Sequence, residues 1–205
     1  MITYASIPER PAMNERVQIS PTASAPFRFT VDQFLALCDR GLVDDYAKSE
    51  LIEGEIVVMN AQYARHARVK SILMRRIGNA LEAMKSPLDA WTEASVRLSD
   101  GSLPEPDIVL TSYRGTGAVP VDTVALLIEV SDTTLDTDLG RKADLYAQAG
   151  VPEYWVVDLN ENRVLCHANP RSGDGGYDGQ LDVLFGTTLY SATVEGLEVE
   201  TVGLE

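Results

Sequence analysis

The chain has 205 residues and a mass of 22.4 kDa, a length that favours one domain with a sizeable hydrophobic core. Its hydrophobic fraction of 45% and charged fraction of 23% exclude a fibrous or wholly disordered chain. The longest apolar run, from Val124 to Ile128, is far shorter than the roughly 20 residues that span a bilayer, so no membrane association is expected. The N-terminal residues lack the pattern of a secretory signal, and Cys38 and Cys166 are the only cysteines. A disulfide scaffold is therefore excluded, and a cytoplasmic location is expected.

The charge of the chain is unevenly distributed. The net charge is −14, which on its own argues against nucleic-acid binding, because lysine and arginine drive the binding of phosphates. Residues 62–85, however, carry a net charge of +5, so the rest of the chain carries −19. One basic segment thus lies inside an acidic protein.

The first predicted elements are a tail and a short helix. Residues 1–26 contain four prolines and no apolar period, which predicts a loosely ordered tail ahead of a domain over residues 27–205. Thr30 then predicts the N-cap of a helix that ends near Gly41.

A hairpin and a long helix follow. Residues 51–58 predict two strands with a turn at Glu53 and Gly54. Residues 62–85 show the longest helical period, with an apolar face bordered by basic side chains. The basic border consists of Arg65, Arg68, Arg75 and Arg76.

The second half of the chain predicts the core sheet. Strands are expected over residues 91–98, 106–110, 124–130 and 154–158, with a helix over residues 138–149. A strand, a helix and a strand in succession favour a right-handed crossover between parallel strands. These elements predict an α/β fold: a mixed central β-sheet flanked by α-helices, with an additional N-terminal helix and hairpin and C-terminal strands.

Three charged residues of the predicted core point to a site. Glu129 ends an apolar strand and Asp107 precedes another, whereas Lys142 shares a helix face with the apolar residues Leu145 and Tyr146. Each has an ordinary interpretation by itself: an acid at a strand end, or a lysine that extends its amine to solvent. Together they predict a small polar pocket in an apolar sheet, which suits Mg²⁺ and metal-assisted hydrolysis of a phosphodiester.

The sequence lacks the motifs of several other kinds of active site. The sequence has no Cys/His zinc spacing, no glycine-rich dinucleotide fingerprint, no P-loop and no serine-hydrolase elbow. Asp132, Asp136 and Asp138 lack the spacing and glycine of an EF-hand, so Asp138 is expected to cap the helix and the other two to face solvent. His167 is expected on the surface.

Several motifs, in this order, resemble the Uma-two family of restriction-endonuclease-like proteins, within the PD-(D/E)xK nuclease superfamily. The resemblance covers about residues 28–200. The matching segments are Ser49–Glu55, His66, Pro106–Val109, Leu127–Ser131, Arg141–Lys142 and Gly150–Asp158.

The resemblance implies a restriction-endonuclease-like core and a Mg²⁺-dependent DNA endonuclease; Mn²⁺ is the alternative cation. It assigns Asp107 and Glu129 as metal ligands, helped by the carbonyl of Val130, and Lys142 as the residue that activates water. Glu50 matches an upstream acid that would complete the site through a metal-bound water; the alternative is an ordinary acid at a strand edge. In the superfamily a lysine stands two positions after the second acid, where this chain has a serine; the family resemblance places its counterpart at Lys142.

The resemblance and the basic border also suggest nucleic-acid contacts. His66, Arg65, Arg68 and Arg75 are the candidates for touching DNA. The alternatives are a buried structural histidine and a solvated helix face. Two sites acting on two strands would make a homodimer sensible.

Two other functions remain open from the sequence. The first is a catalytically silent nuclease-fold protein that binds nucleic acid or a protein partner, against which the intact set of Asp107, Glu129 and Lys142 argues. The second is a metal-dependent hydrolase of another phosphate ester, which a closed pocket in place of an open groove would indicate.

Overall fold

A computed structural model describes residues 25–43, 48–59, 62–171, 173 and 175–205. Nearly all of the predicted tail lies outside these residues. Within them the fold is a mixed six-stranded sheet with helices packed on it, accompanied by three separate two-stranded sheets.

The helical segments of the described residues lie at four places in the chain. Among the residues that the structure describes, every helix is too short or too polar to span a bilayer. The helices are α1 (Val31–Cys38), α2 (Ala64–Ala83), a 3-10 turn (Val121–Thr123), α3 (Leu135–Thr137), a π turn (Asp138–Lys142) and α4 (Ala143–Gln148).

Twelve strands are formed by the described residues. They are β1 (Ser49–Ile52), β2 (Glu55–Val58), β3 (Asp89–Thr92), β4 (Val96–Arg97), β5 (Ile108–Thr111), β6 (Val119–Pro120), β7 (Val124–Ser131), β8 (Glu153–Asp158), β9 (Arg163–Pro170), β10 (Tyr177–Leu184), β11 (Thr188–Tyr190) and β12 (Glu198–Glu200).

The central sheet has the strand order β10-β9-β8-β7-β5-β3. Strands β7 and β8 are parallel and joined by the α3–α4 segment, as predicted, and the remaining neighbours are antiparallel. Ile108 pairs with Ile128 across β5 and β7, so Asp107 and Glu129 lie side by side one position further along. Register thus brings together two acids that are 22 residues apart in the sequence.

Apolar side chains cover both faces of this sheet. On one face Leu73 and Ile77 of α2 pack with Ile128 of β7. On the other face Tyr146 of α4 packs with Leu127 of β7 and neighbouring residues. All five side chains are fully buried, so the strands that carry the site are held from both sides.

The predicted N-terminal helix and hairpin are confirmed. Thr30 and Gln33 form a reciprocal capping box at the start of α1. Glu53 and Gly54 make the turn between β1 and β2 with φ values of 51° and 81°, which suits a tight hairpin with left-handed central residues.

Two predicted elements are wrong in detail. Residues 91–98 form the end of β3 and a separate short strand, β4, which pairs with β6 in a parallel pair outside the main sheet. The helix predicted from residue 138 begins at Leu135 and passes through the π turn before it becomes α4. Periodicity alone does not reveal a change from four-residue to five-residue hydrogen bonding.

Candidate active site

The amine of Lys142 lies between two carboxylates from different elements. Its Nζ atom is 2.9 Å from Oε1 of Glu129 on β7 and 3.2 Å from Oε2 of Glu50 on β1. Tyr146, one helical turn after Lys142, donates its hydroxyl to the same Oε1 atom of Glu129 at 2.9 Å. The three charged residues are at least 95% buried, so the lysine that sequence analysis placed on the inner helix face points into the protein.

Asp107 is fixed by four hydrogen-bond donors. Its Oδ2 atom lies 3.0 Å from Nε2 of His66 and accepts a 2.8 Å hydrogen bond from the amide of Val130. Its Oδ1 atom accepts hydrogen bonds from Gln62 at 3.2 Å and from Lys70 at 3.3 Å. Helix α2 therefore supplies a buried histidine and a buried lysine to the acid that precedes β5.

Lys70 connects Asp107 to a third carboxylate. Its amine lies 2.7 Å from Oε1 of Glu93, which follows β3, and donates to Gln62 at 2.8 Å. The amine thus has three oxygen partners, as an ammonium group requires when it is withdrawn from water. Two buried lysines therefore flank the site, Lys70 beside Asp107 and Lys142 beside Glu129.

The two neighbouring acids have opposite pKa shifts. Burial tends to raise the pKa of Asp107, but the hydrogen bond and charge of His66, with the Val130 amide and Lys70, lower it to about 2. Burial raises the pKa of Glu129 to about 8, aided by the negative charges of Asp138, Asp107 and Glu50 and opposed by Lys142. Burial therefore dominates the pKa of Glu129, whereas the hydrogen-bond donors around Asp107 dominate the pKa of Asp107.

Both lysines are held in the charged form. Burial tends to lower the pKa of Lys142, but Glu129, Glu50 and Asp138 raise it above its ordinary value. Burial likewise tends to lower the pKa of Lys70, and Glu93 and Asp107 raise it. A lysine in this state donates hydrogen bonds and offsets negative charge, and it does not accept a proton.

Asp138 belongs to the site, and the expectation that it caps a helix is wrong. Its side chain is buried and accepts hydrogen bonds from Ser131 and Thr134, so it ties the π turn to the end of β7. Burial raises its pKa, although Lys142 opposes the shift. Asp132 and Asp136 are half-buried and exposed respectively.

The side chains of the site offer the oxygen ligands that a hard divalent cation prefers. Mg²⁺ prefers oxygen ligands and often uses only one or two carboxylates together with water, and Asp107 and Glu129 supply two on adjacent strands. No three His, Cys, Asp or Glu side chains of the described residues form a ready metal-binding group, so binding would require some of the present hydrogen bonds to exchange.

The four residues that the sequence predicts to contact nucleic acid lie in different environments. His66 is buried against Asp107, and its Nδ1 atom has no hydrogen-bond partner among the described residues. Arg65 donates to Asn162 at 2.8 Å, and Arg68 donates to three main-chain carbonyls at the C-terminal end of the chain. Arg75 is exposed on α2.

Sequence reasoning missed Lys70 and Asp138. Lys70 stands four residues after His66, which places both on one helix face, so the spacing contained the signal for their common contact with Asp107. Asp138 gave no such signal, because its burial depends on the path of the π turn. His167, expected on the surface, is buried in β9 and stacks on Tyr154.

Comparison with solved structures identifies the fold. A crystal structure of "a putative nuclease belonging to DUF820" from Anabaena variabilis superposes with a TM-score of 0.61 and 18% sequence identity. The match covers 86% of this chain and 97% of that one. This likeness shows a shared fold and agrees with the mixed central sheet flanked by helices that the sequence predicts.

Comparison with protein families agrees with it. No curated protein matches the chain. The model of the Uma2 family, described as "Putative restriction endonuclease", matches residues 31–202, which include every element of the central sheet and all the charged residues of the site. The chain described here therefore belongs to the Uma2 family of restriction-endonuclease-like proteins.

Proposed function

We propose that this protein is a Mg²⁺-dependent endonuclease that hydrolyses phosphodiester bonds of DNA. The observation that carries the proposal is the Lys142 amine held 2.9 Å from Glu129 and 3.2 Å from Glu50, next to Asp107, inside an otherwise apolar sheet. Burying charged groups costs desolvation free energy even when the groups are paired. A functional role explains why the protein retains them. Membership of the Uma2 family supports the same reaction class.

Asp107 and Glu129, with the main chain at Val130, are the residues that would hold the cation. A divalent cation bound there supplies positive charge that offsets the charge developing on the phosphoryl oxygens. His66 and the Val130 amide keep the carboxylate of Asp107 in one orientation. Mn²⁺ has the same preference for oxygen ligands and is expected to replace Mg²⁺.

Lys142 and Glu50 act on the attacking water. Because Lys142 is an ammonium group, it donates a hydrogen bond that holds the water in line with the phosphorus atom. Glu50 receives the proton that the water loses, since its carboxylate lies within 3.3 Å of the amine. Tyr146 and Lys142 together fix the carboxylate of Glu129.

The second candidate is a protein of the same fold that binds nucleic acid without cutting it. One observation favours it: both oxygens of Asp107 already accept two hydrogen bonds each. In that case the charged residues form a permanent ion cluster and no cation enters.

Cleavage of supercoiled plasmid and of single-stranded DNA in Mg²⁺ tests the proposal. Glu129→Gln keeps the shape of the side chain and is expected to abolish cleavage, whereas Glu161→Gln changes an exposed acid in a turn and is expected to cut like the wild type. The proposal fails if the wild type cuts neither substrate in Mg²⁺ or Mn²⁺.

The proposal includes a homodimer and a cytoplasmic location. A duplex has two strands of opposite direction, and a two-fold dimer would present one site to each. Light scattering at several protein concentrations measures the assembly, and a monomer throughout would limit the enzyme to one strand at a time.

A further inference from the structure

A groove of about 440 Å³ lies between helix α2 and the edge strand β3. Lys70, Arg75 and Gly78 line its helix side, and Thr92 and Glu93 line the opposite side. Strand β3 is the last strand of the central sheet, so this groove opens to solvent along the edge of the molecule.

The groove adjoins the active site at Lys70. Lys70 lines it and at the same time places its amine 3.3 Å from Oδ1 of Asp107. Glu93, on the opposite wall, shares that amine at 2.7 Å. A chain molecule whose reacting group lies at Asp107 and Glu129 can therefore extend directly into the groove.

Arg75 is the arginine of α2 that is available to a ligand here. Arg68 and Arg76 donate to main-chain carbonyls of the C-terminal segment, and Arg65 donates to Asn162. Arg75 forms no hydrogen bond or ion pair with the described part of the chain. The basic border that the sequence showed thus divides into arginines that anchor the C-terminal segment and one that lines the groove.

A second cavity, of about 510 Å³, adjoins the groove at Gly78. Its walls carry charges of both signs, Glu82 and Asp89 with Lys85, and Asp89 pairs with Arg114 at 3.2 Å. The groove itself is lined by two cations, Lys70 and Arg75. Two cations indicate a short phosphate track of one or two nucleotides.

We propose that this groove holds the sugar–phosphate backbone of one nucleic-acid strand next to the phosphate that is cut, with Arg75 facing a phosphate. The inference rests on the nuclease function proposed above. The inference adds the path of the nucleic-acid strand, which runs along α2 and β3. This path lies away from the arginines that bind the C-terminal segment.

Gly78 provides a clean test, because a Cβ atom built there meets no other atom within 4 Å. Gly78→Glu would place a carboxylate in the groove without disturbing the core, and glycine in a helix interior is replaced at no cost in helix stability. Gly78→Gln is the uncharged match. Gln180→Glu adds the same charge at an exposed position of β10, on the opposite edge of the sheet.

Binding of a fluorescein-labelled single-stranded DNA oligonucleotide is measured by anisotropy in Mg²⁺, with Glu129→Gln in every protein to prevent cleavage. Gly78→Glu is expected to weaken binding at least about 10-fold, and Arg75→Ala about 3-fold or more. Gln180→Glu is expected to bind within about 2-fold of the parent, and Gly78→Gln is expected to bind more tightly than Gly78→Glu. Circular dichroism confirms that each variant is folded, and Arg75→Glu replaces Gly78→Glu if the latter is not.

The outcomes separate the groove from the nuclease function. If the wild type cuts DNA and Gly78→Glu binds as tightly as Gly78→Gln, the groove assignment is overturned and the nuclease function stands. If the wild type does not cut DNA and the parent does not bind it, both are overturned. A selective loss in Gly78→Glu and Arg75→Ala supports the groove.

Discussion

At the scale of single residues, the pairing of Lys142 with Glu129 and Glu50 is the feature with the clearest chemical consequence. Lys142→Met is expected to lower the cleavage rate about 100-fold or more, because the donor that holds the water is lost. Affinity for Mg²⁺ is expected to stay the same or to increase, since the ammonium competes with a cation for Glu129. Cleavage assays and calorimetry on the same preparation measure the two effects.

Loss of Mg²⁺ binding in Lys142→Met, with the fold intact, would contradict this account. It would show that the lysine organises the carboxylates as a structural unit and has no separate part in the chemical step.

A second residue-scale prediction concerns His167. Burial lowers the pKa of His167 and outweighs the opposing charge of Asp182, and its Nε2 atom has no hydrogen-bond partner among the described residues. Below about pH 6.5 the unfolded chain therefore binds a proton at this residue more readily than the folded chain does. The free energy of unfolding should fall as pH falls through this range.

His167→Gln is expected to lose less stability than the wild type between pH 8 and pH 5, because glutamine does not titrate in this range. The carboxylates titrate in both proteins, so their contribution cancels in the comparison. Urea unfolding at several pH values measures the difference. Parallel stability curves would show that His167 is protonated equally well in the folded state.

At the residue scale, the sequence reveals charged residues that stand among apolar ones. Glu129 and Asp107 were visible because acids rarely adjoin runs of apolar strand residues, and Lys142 because it lies on an apolar helix face. Asp138 was hidden since its partners, Ser131 and Thr134, are common in loops.

At the scale of elements, the β1–β2 hairpin positions Glu50, and its turn requires glycine. Gly54 has a φ of 81°, and a Cβ atom there would lie 2.7 Å from Cβ of Arg28. Gly54→Ala is expected to lower the free energy of unfolding by about 1–2 kcal/mol. Gly78→Ala, in the open part of α2, is expected to raise it by about 0.5–1 kcal/mol.

Urea unfolding of the two alanine variants provides a matched comparison, because the chemical change is the same and only the backbone conformation differs. Equal effects of either sign would contradict the structural distinction between the two glycines.

Elements with a local signal were predicted well. The cap at Thr30, the turn at Glu53 and Gly54 and the apolar face of α2 each depend on residues close in sequence. The π turn at Asp138–Lys142 was not predicted, because its width depends on how Asp138 is held against β7.

At the scale of the whole molecule, an acidic protein is expected to bind nucleic acid through few contacts. The proposed track offers two cations, Lys70 and Arg75, and Lys70 already pairs with Glu93. The logarithm of the binding constant for single-stranded DNA should therefore fall with the logarithm of salt concentration with a slope of about −1.4 or shallower. Anisotropy titrations over a range of salt concentrations measure it.

A slope steeper than about −4 would require roughly six phosphate contacts and would contradict a short track. It would point to a broader basic surface, formed by several protomers together.

Whole-molecule topology was only partly accessible from sequence. The parallel pair β7–β8 was predicted from one strand, one helix and one strand in succession, and it is confirmed. The position of β5 between β7 and β3, which brings Asp107 beside Glu129, depends on pairing between distant segments. Pairing between segments that are distant in the sequence does not affect the local pattern of apolar residues, so this pattern does not predict it.

The most direct test of the central claim is a calorimetric titration of Mg²⁺ into the wild type and into Glu129→Gln. The account predicts binding at millimolar concentration or tighter in the wild type and a loss of at least about 10-fold in Glu129→Gln, since one of two carboxylate ligands is removed. Absence of binding in the wild type at millimolar Mg²⁺ would contradict the account and identify Asp107, Glu129 and Lys142 as a permanent ion cluster.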